Sequence, residues 1–277
     1  MTYKTILVHI DNGHRCRARV DIAIGLARRF DAHLIGLNAL SPVSLPGYVR
    51  AEVGGMPIAE IQKRYADEQV ARAMKVFDDA VAAAGLASAE WRTSDTDAVD
   101  AVALHGRYAD LVVLGQPEPG EETGVRRDFA EQVTLEAGRP VLMIPYAGSF
   151  TGVGKRVLVG WNASREATRA ITDAMPLLVQ ADSVEIIVIN PKPWEHGASP
   201  GSDLALYLAR HGVRVEVRVD DASGVDEGGE MLSRAADFGA DLIVMGAYGH
   251  SRFRELVMGG ASRTIIDSMT VPVLLSH

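Results

Sequence analysis

Apolar residues in this chain fall into two kinds of stretch that take turns along it. One kind is short and unbroken: Ile6-Leu7-Val8, Leu111-Val112-Val113-Leu114, Val141-Leu142-Met143-Ile144, and later Val157-Leu158-Val159, Leu242-Ile243-Val244-Met245 and Val273-Leu274-Leu275. Runs of this length without alternation suit strands covered on both faces, as in a parallel sheet. The other kind is spaced by three and four, as in Ala66, Val70, Ala73, Phe77 and Val81, which line one side of a helix. The pattern predicts strands near residues 4–10, 33–39, 88–93, 110–114 and 141–145, with helices near 15–30, 58–84, 96–107 and 128–137. It then repeats, with strands near 156–161, 184–190, 213–218, 241–245 and 272–275 and helices near 164–178, 202–211, 226–238 and 260–268. Strands alternating with helices imply right-handed crossovers and a doubly wound parallel sheet.

The repetition extends to residue types. Lys4 to Asp11 matches Lys155 to Asn162, each an apolar run ending at Asp or Asn. Ala109-Asp110-Leu111-Val112-Val113-Leu114-Gly115 matches Ala240-Asp241-Leu242-Ile243-Val244-Met245-Gly246, and the final strands both follow a proline, Pro140 and Pro272. An internal repeat of this size divides the chain before any motif is considered. The expected organisation is α/β, with two tandem five-stranded domains, residues 1–147 and 154–277. The Gly-rich stretch 146–154 serves as the linker. Apolar final strands left at two sheet edges would invite each other, so the halves are expected to meet there about a pseudo-two-fold axis, an intrachain pseudo-dimer.

Length and composition agree with two cores: 277 residues, 47% hydrophobic and 23% charged. A net charge of −8 argues against nucleic acid as a partner, since phosphate backbones require clustered Lys and Arg. No run approaches the ~20 apolar residues of a membrane span. The N-terminal residues enter a strand pattern directly, without a signal-like apolar core. The lone cysteine, Cys16, leaves no internal disulfide. Together these give the expectation of a soluble, cytoplasmic protein without a membrane contact.

In open α/β sheets ligands sit beyond the carboxyl ends of the strands where strand order reverses, which directs attention to the loop after the fourth strand of each half. In the second half that loop runs from Gly246-Ala247-Tyr248-Gly249-His250 to Val257-Met258-Gly259-Gly260-Ala261-Ser262 and opens a helix. Glycines let a backbone approach a ligand closely, and amides at a helix start are donors for an anion. Turns and caps explain many such glycines without any ligand. The combination of strand, Gly-x2-Gly-x9-Gly and helix, together with Val157 to Ala167, resembles the universal stress protein family over nearly the whole chain, in two copies. The resemblance implies an adenine nucleotide alpha hydrolase-like fold and an ATP site, with or without Mg²⁺. By position, Gly246, Gly249 and Gly259 match the motif glycines, and Gly260, Ala261 and Ser262 offer amides and a hydroxyl to phosphate. Asn162 stands where the family has an acidic nucleoside contact, Ser164 follows it, Ile189 and Asn190 lie beside the base, and His250 is within the loop.

Two positions depart from that pattern. Gly260 stands in place of a Ser or Thr, which removes a hydroxyl, and Asn162 stands in place of Asp, which removes a charge. The matching loop of the first half, Gly115-Gln116-Pro117-Glu118-Pro119-Gly120-Glu121-Glu122-Thr123-Gly124, keeps only the first glycine and adds prolines and glutamates hostile to a triphosphate. One nucleotide site per chain is expected, in the second half, with the first half structural or serving another ligand.

Arg252 and Arg254 could neutralise phosphate or belong to a solvated loop. Ser164 reads as a helix cap ahead of a ligand contact. His250 is as readily an exposed loop residue as a phosphate donor. Residues 194–201 read as surface loop or as a rim over the second pocket. Cys16, between Arg15 and Arg17, reads as inert rather than sensing, and His9, His14 and His33 lack metal-site spacing. The expected function is a nucleotide-binding stress-response or regulatory protein, not an enzyme, with slow ATP hydrolysis at most. The alternatives are a nucleotide-free interaction module or binder of another small ligand, and an adenylating or ATP-hydrolysing enzyme. The last lacks its Ser-Gly-Gly-x-Asp-Ser loop at Asp11–His14 and Asn162–Arg165. A homodimer and an unidentified protein partner remain compatible with the sequence.

Overall fold

The computed structural model describes residues 2–39, 58–120, 124–191, 199–222, 224, 226–248 and 260–277. Within these, the first half runs β1 (Thr5–His9), α1 (Cys16–Phe30), β2 (His33–Ala39), α2 (Ile58–Ala84), β3 (Ala89–Ser94), α3 (Ala98–Gly106), β4 (Leu111–Gly115), α4 (Phe129–Glu136) and β5 (Val141–Ile144). The second half repeats the order as β6 (Arg156–Gly160), α5 (Arg165–Leu178), β7 (Ser183–Ile189), α6 (Ser202–Arg210), β8 (Val215–Asp220), α7 (Glu227–Phe238), β9 (Leu242–Gly246), α8 (Gly260–Ser268) and β10 (Val273–Ser276). Element type and order agree with the hydrophobic pattern throughout the described residues.

All ten strands belong to one sheet, in the order β3-β2-β1-β4-β5-β10-β9-β6-β7-β8. Every neighbouring pair is parallel except β5 and β10, which run antiparallel with Val141 opposite Leu275, Leu142 opposite Leu274 and Met143 opposite Val273. Leu142 and Leu274 are equivalent in the repeat, so the pairing is centred on a matched residue and the strand order reads the same from either end. The two strands expected to meet do so, and the expected pair of five-stranded sheets is thereby one ten-stranded sheet.

One layer of the core lies between the sheet and α1, α2, α5 and α6, the other between the sheet and α3, α4, α7 and α8. Leu7, Leu34, Leu114, Leu142 and Leu158 are fully buried, as expected of strands covered on both faces. On β2, Gly36 makes room for a helix side chain, because a Cβ there would lie 2.6 Å from the Phe77 ring of α2. Phe77 in turn packs against Trp91 of β3, ring centres 5.8 Å apart. The long α2 thus covers the first outer strand. Its counterpart α6 is much shorter, and β8 beneath it has exposed residues at four consecutive positions.

Side chains also link the halves. Tyr3 donates its hydroxyl proton to the Asp173 carbonyl at 2.7 Å, and Arg29 reaches Gln180 Oε1 at 2.7 Å. Gln116, directly after β4, donates from Nε2 to the Ile266 carbonyl at 2.8 Å, and its Oε1 accepts the Tyr146 N–H at 3.1 Å. The last carbonyls of a helix have no partner within it, so a residue of the first half caps the end of α8.

Candidate functional site

Strand order reverses between β1 and β4 in the first half and between β6 and β9 in the second. At both places the crevice beyond the strand ends is the expected ligand position. The two crevices are built differently, and the difference begins with one pair of residues.

In the first half Asp11, just past β1, is 6% exposed, and Arg19 of α1 is 4% exposed. Arg19 Nη2 lies 2.9 Å from Asp11 Oδ1, and its Nε donates to the His9 carbonyl at 2.9 Å. The same guanidinium lies over Gly115, so that a Cβ there would fall on Nη1. A long cation therefore occupies the ground between the first and fourth strands, leaving a small cavity lined by Asp11, Arg15, Cys16, Gln116, Glu118 and Tyr146. Burial works against the ionised carboxylate of Asp11, but the Arg19 charge, with His9 and the Gly13 N–H adding to it, holds the carboxyl below its usual range. Burial pushes the His9 ring down to about 4, against the raising influence of Asp11. His9 is neutral near pH 7, and Nε2 faces the Ala39 carbonyl at 2.8 Å, which assigns the proton to that nitrogen. Burial also pushes the Cys16 thiol up, so the arginines beside it in sequence do not activate it. At the start of α4, Asp128 holds Arg126 at 2.7 Å, so the chain's own carboxylate stands where an anion would dock.

In the second half the repeat places Asn162 at the position of Asp11 and Ala170 at that of Arg19. Asn162 is exposed, and its Oδ1 accepts the Ser164 N–H at 3.2 Å, which leaves its amide hydrogens free to face a ligand. Ser164 caps α5, its hydroxyl accepting the Ala167 N–H at 3.1 Å, so the structure favours the cap reading of this residue. Ile189 ends β7. Asn190 follows in the left-handed region with φ 49°, where asparagine is tolerated, and its Oδ1 accepts the Ala222 N–H at 2.9 Å. Gly246 ends β9, and a Cβ on it would fall on the Ala167 nitrogen and within 2.5 Å of the Glu166 carbonyl carbon. The close approach this glycine permits is therefore between strand and helix α5. Where α1 stands off from Gly115 by the thickness of an arginine, α5 rests directly on Gly246.

Helix α8 begins at Gly260, which is exposed, with Ala261 and Ser262 in its first turn. The Ser262 hydroxyl is 6% exposed and accepts the Tyr248 N–H at 3.3 Å, fixing the turn that leaves β9. The Asp226 cap of α7 accepts the Gly229 N–H through Oδ2 at 3.0 Å, and its Oδ1 lies 3.5 Å from where a Gly260 Cβ would be. The start of α8 is thus an amide-rich helix terminus with one carboxylate beside it. Gly249, His250 and Gly259 lie outside the described residues, as do Arg252, Arg254 and the stretch 192–198 of the Trp194 loop. Among the described residues no three His, Cys, Asp or Glu side chains gather as a metal site. No helix among them is long and apolar enough to cross a membrane.

Sequence reading missed Arg19 and Asp226. Arg19 was detectable in principle, as a cation placed in the buried stripe of Cys16, Val20 and Ala23 rather than opposite it. Gln116 carries no comparable signal, since its partner belongs to the other half.

The family model described as "Universal stress protein family" matches residues 2–145 and again 154–277. No curated protein matches the chain. Among solved structures, a universal stress protein from Archaeoglobus fulgidus aligns with TM-score 0.71 at 15% identity, covering 98% of this chain and 95% of its own. A functionally unknown protein from Pseudomonas aeruginosa aligns with TM-score 0.58 at 15% identity, covering 99% and 92%. A universal stress protein in complex with cAMP spans 52% of this chain and 97% of its own, at 22% identity and TM-score 0.36.

Proposed function

The chain belongs to the universal stress protein family, and from that premise we propose that it is a tandem member with two domains, residues 1–147 and 154–277, of which the second binds ATP and the first does not. The observation that carries this reading is the contrast between the crevices. In the first, Arg19 and Asp11 neutralise each other within the ligand position and Asp128 heads the helix. In the second, neither ion is present, and the helix opens on a residue with no side chain.

In this reading the amides at Gly260, Ala261 and Ser262 face phosphate, joined by the loop glycines Gly249 and Gly259 and by His250. Asn162 meets the ribose through its amide group, and Ile189 and Asn190 border the base. Asp226 beside Gly260 opposes a bare polyphosphate, so the nucleotide would arrive with a cation between them, such as Mg²⁺. The reading is of binding that governs conformation or partner choice rather than turnover. The cytoplasm is the compartment in which such a site would meet ATP.

The second reading, a binder of another small ligand, is favoured by Asp226 and by the loss of the acid at Asn162. Gly260→Asp separates the site from the fold. An acidic residue suits the first turn of a helix but here stands beside Asp226, so the two effects oppose and stability should change by no more than about 1 kcal/mol, whereas a second carboxylate at the phosphate position should abolish ATP binding in equilibrium dialysis. Wild-type protein should bind one ATP per chain. Gly260→Ser should tighten binding by roughly the worth of one hydrogen bond, about 1 kcal/mol. Unchanged ATP affinity in a folded Gly260→Asp variant refutes the assignment.

A further inference from the structure

The outer strands of the sheet are β3 and β8, and they are not equally finished. On β3, Trp91 lies under Phe77 of α2, Glu90 pairs with Arg92 and with His33, and Arg92 reaches the His105 ring. On β8, Val217 is 40% and Val219 48% exposed, and in α6 above it Leu206 and Tyr207 are 52% and 40% exposed. Arg214 and Glu216 are exposed and make no ion pair among the described residues, while Arg218 holds only Asp220 of its own strand, at 2.8 Å.

The direction of the free backbone groups follows from the β7 pairing. Val184 N–H donates to the Arg214 carbonyl and Asn190 N–H to the Asp220 carbonyl, with β7 and β8 parallel between them. The even-numbered residues of β8 therefore bond inward, and Val215, Val217 and Val219 direct both N–H and C=O toward the open edge. A strand added there must pair with the valines.

The sequence of this edge, Arg214-Val215-Glu216-Val217-Arg218-Val219-Asp220, is complementary to its own reverse. With two copies antiparallel and centred on Val217, Val217 faces Val217, Val215 faces Val219, Glu216 faces Arg218 and Arg214 faces Asp220. The valine pairs are the hydrogen-bonded ones, as the outward groups require. Shifting the centre to residue 216 sets Glu216 against Glu216 and Arg214 against Arg218. Shifting it to 218 sets Arg218 against Arg218 and Glu216 against Asp220. Like charges directly opposite each other are destabilising and opposite charges favourable, so one register is selected and its neighbours rejected. Charges on an edge strand ordinarily keep other strands away; this set repels all but its own copy in one alignment.

We infer that β8 is the docking edge for a second copy of this chain, joining two ten-stranded sheets antiparallel through Val217 into a homodimer. This interface is independent of the nucleotide reading and would persist if that reading failed. Sedimentation over about 1–100 µM protein, a range suited to a modest strand-edge interface, should show wild-type mass rising toward twice 29.7 kDa. Glu216→Lys and Arg218→Glu each place like charges across the register at two points, and each should remain a monomer alone. An equimolar mixture of the two restores every opposite pair and should recover the dimer. Val217→Pro removes an outward N–H without touching the β7 ladder, and should also give a monomer with unchanged circular dichroism. A wild type that stays monomeric, reversal variants that dimerise like the parent, or a mixture that fails to associate would each overturn the inference.

Discussion

Replacing Arg19 by alanine leaves Asp11 buried beside a neutral His9, with the Gly13 N–H as its remaining hydrogen-bond partner. Removing one member of a buried pair costs about 3–5 kcal/mol, chiefly because the charge left behind has lost its compensation. Asp11→Asn does the reverse, leaving the Arg19 guanidinium with the His9 carbonyl and no anion. The double variant Asp11→Asn with Arg19→Ala removes both charges and recreates the Asn162 and Ala170 combination that the second half already tolerates. It should lose only the packing of the arginine stem, about 1–3 kcal/mol. The two single losses therefore sum to about 6–10 kcal/mol, and the double variant should retain most of that difference as coupling. Urea unfolding followed by circular dichroism, with all four proteins in one buffer at pH 7, reads this directly. Losses that add to within about 0.5 kcal/mol would show that Arg19 and Asp11 act independently, and the account of the first crevice as a self-neutralised site would fall.

Gly246→Ala should cost about 1–3 kcal/mol, since the new methyl group meets helix backbone that cannot rotate away; thermal melting that matches the parent would refute the strand–helix contact. His9 gives a pH signature: its folded value near 4 lies below the ordinary 6.5, so the unfolded chain takes up the proton first. Stability should be full above about pH 6.5 and fall as pH drops toward 4, by about 3 kcal/mol if this group acts alone. A His9→Gln variant should lose that slope in urea titrations at pH 7 and pH 5.

The hydrophobic pattern alone located all the described strands and helices, because an α/β sheet with a core layer on each face imposes short unbroken apolar strands and one-sided helices that few other arrangements tolerate. The repeat was equally visible, and Leu142 and Leu274 could be matched before they were seen to face each other. What the pattern could not carry was anything set by a single side chain crossing between elements. Arg19 is one residue in a helix of ordinary composition, and only the third dimension puts its guanidinium over Gly115. Gly246 was legible as a glycine that must be there, but periodicity does not say whether it makes room for a phosphate or for α5. Ser262 offered a hydroxyl in either case, and the structure commits it to the Tyr248 turn.

A protein assembled from two identical chains carries every substitution twice, so neither copy of a site can be altered without altering the other. The antiparallel junction of β5 and β10 joins halves that lie in one polypeptide, and the partner strand is always present at the high local concentration that a tether confers. Covalent linkage thereby frees the two halves to drift apart in sequence while the seam between them stays closed. Arg19 in one half and Ala170 at the matching place in the other are a difference that a dimer of identical chains could not carry.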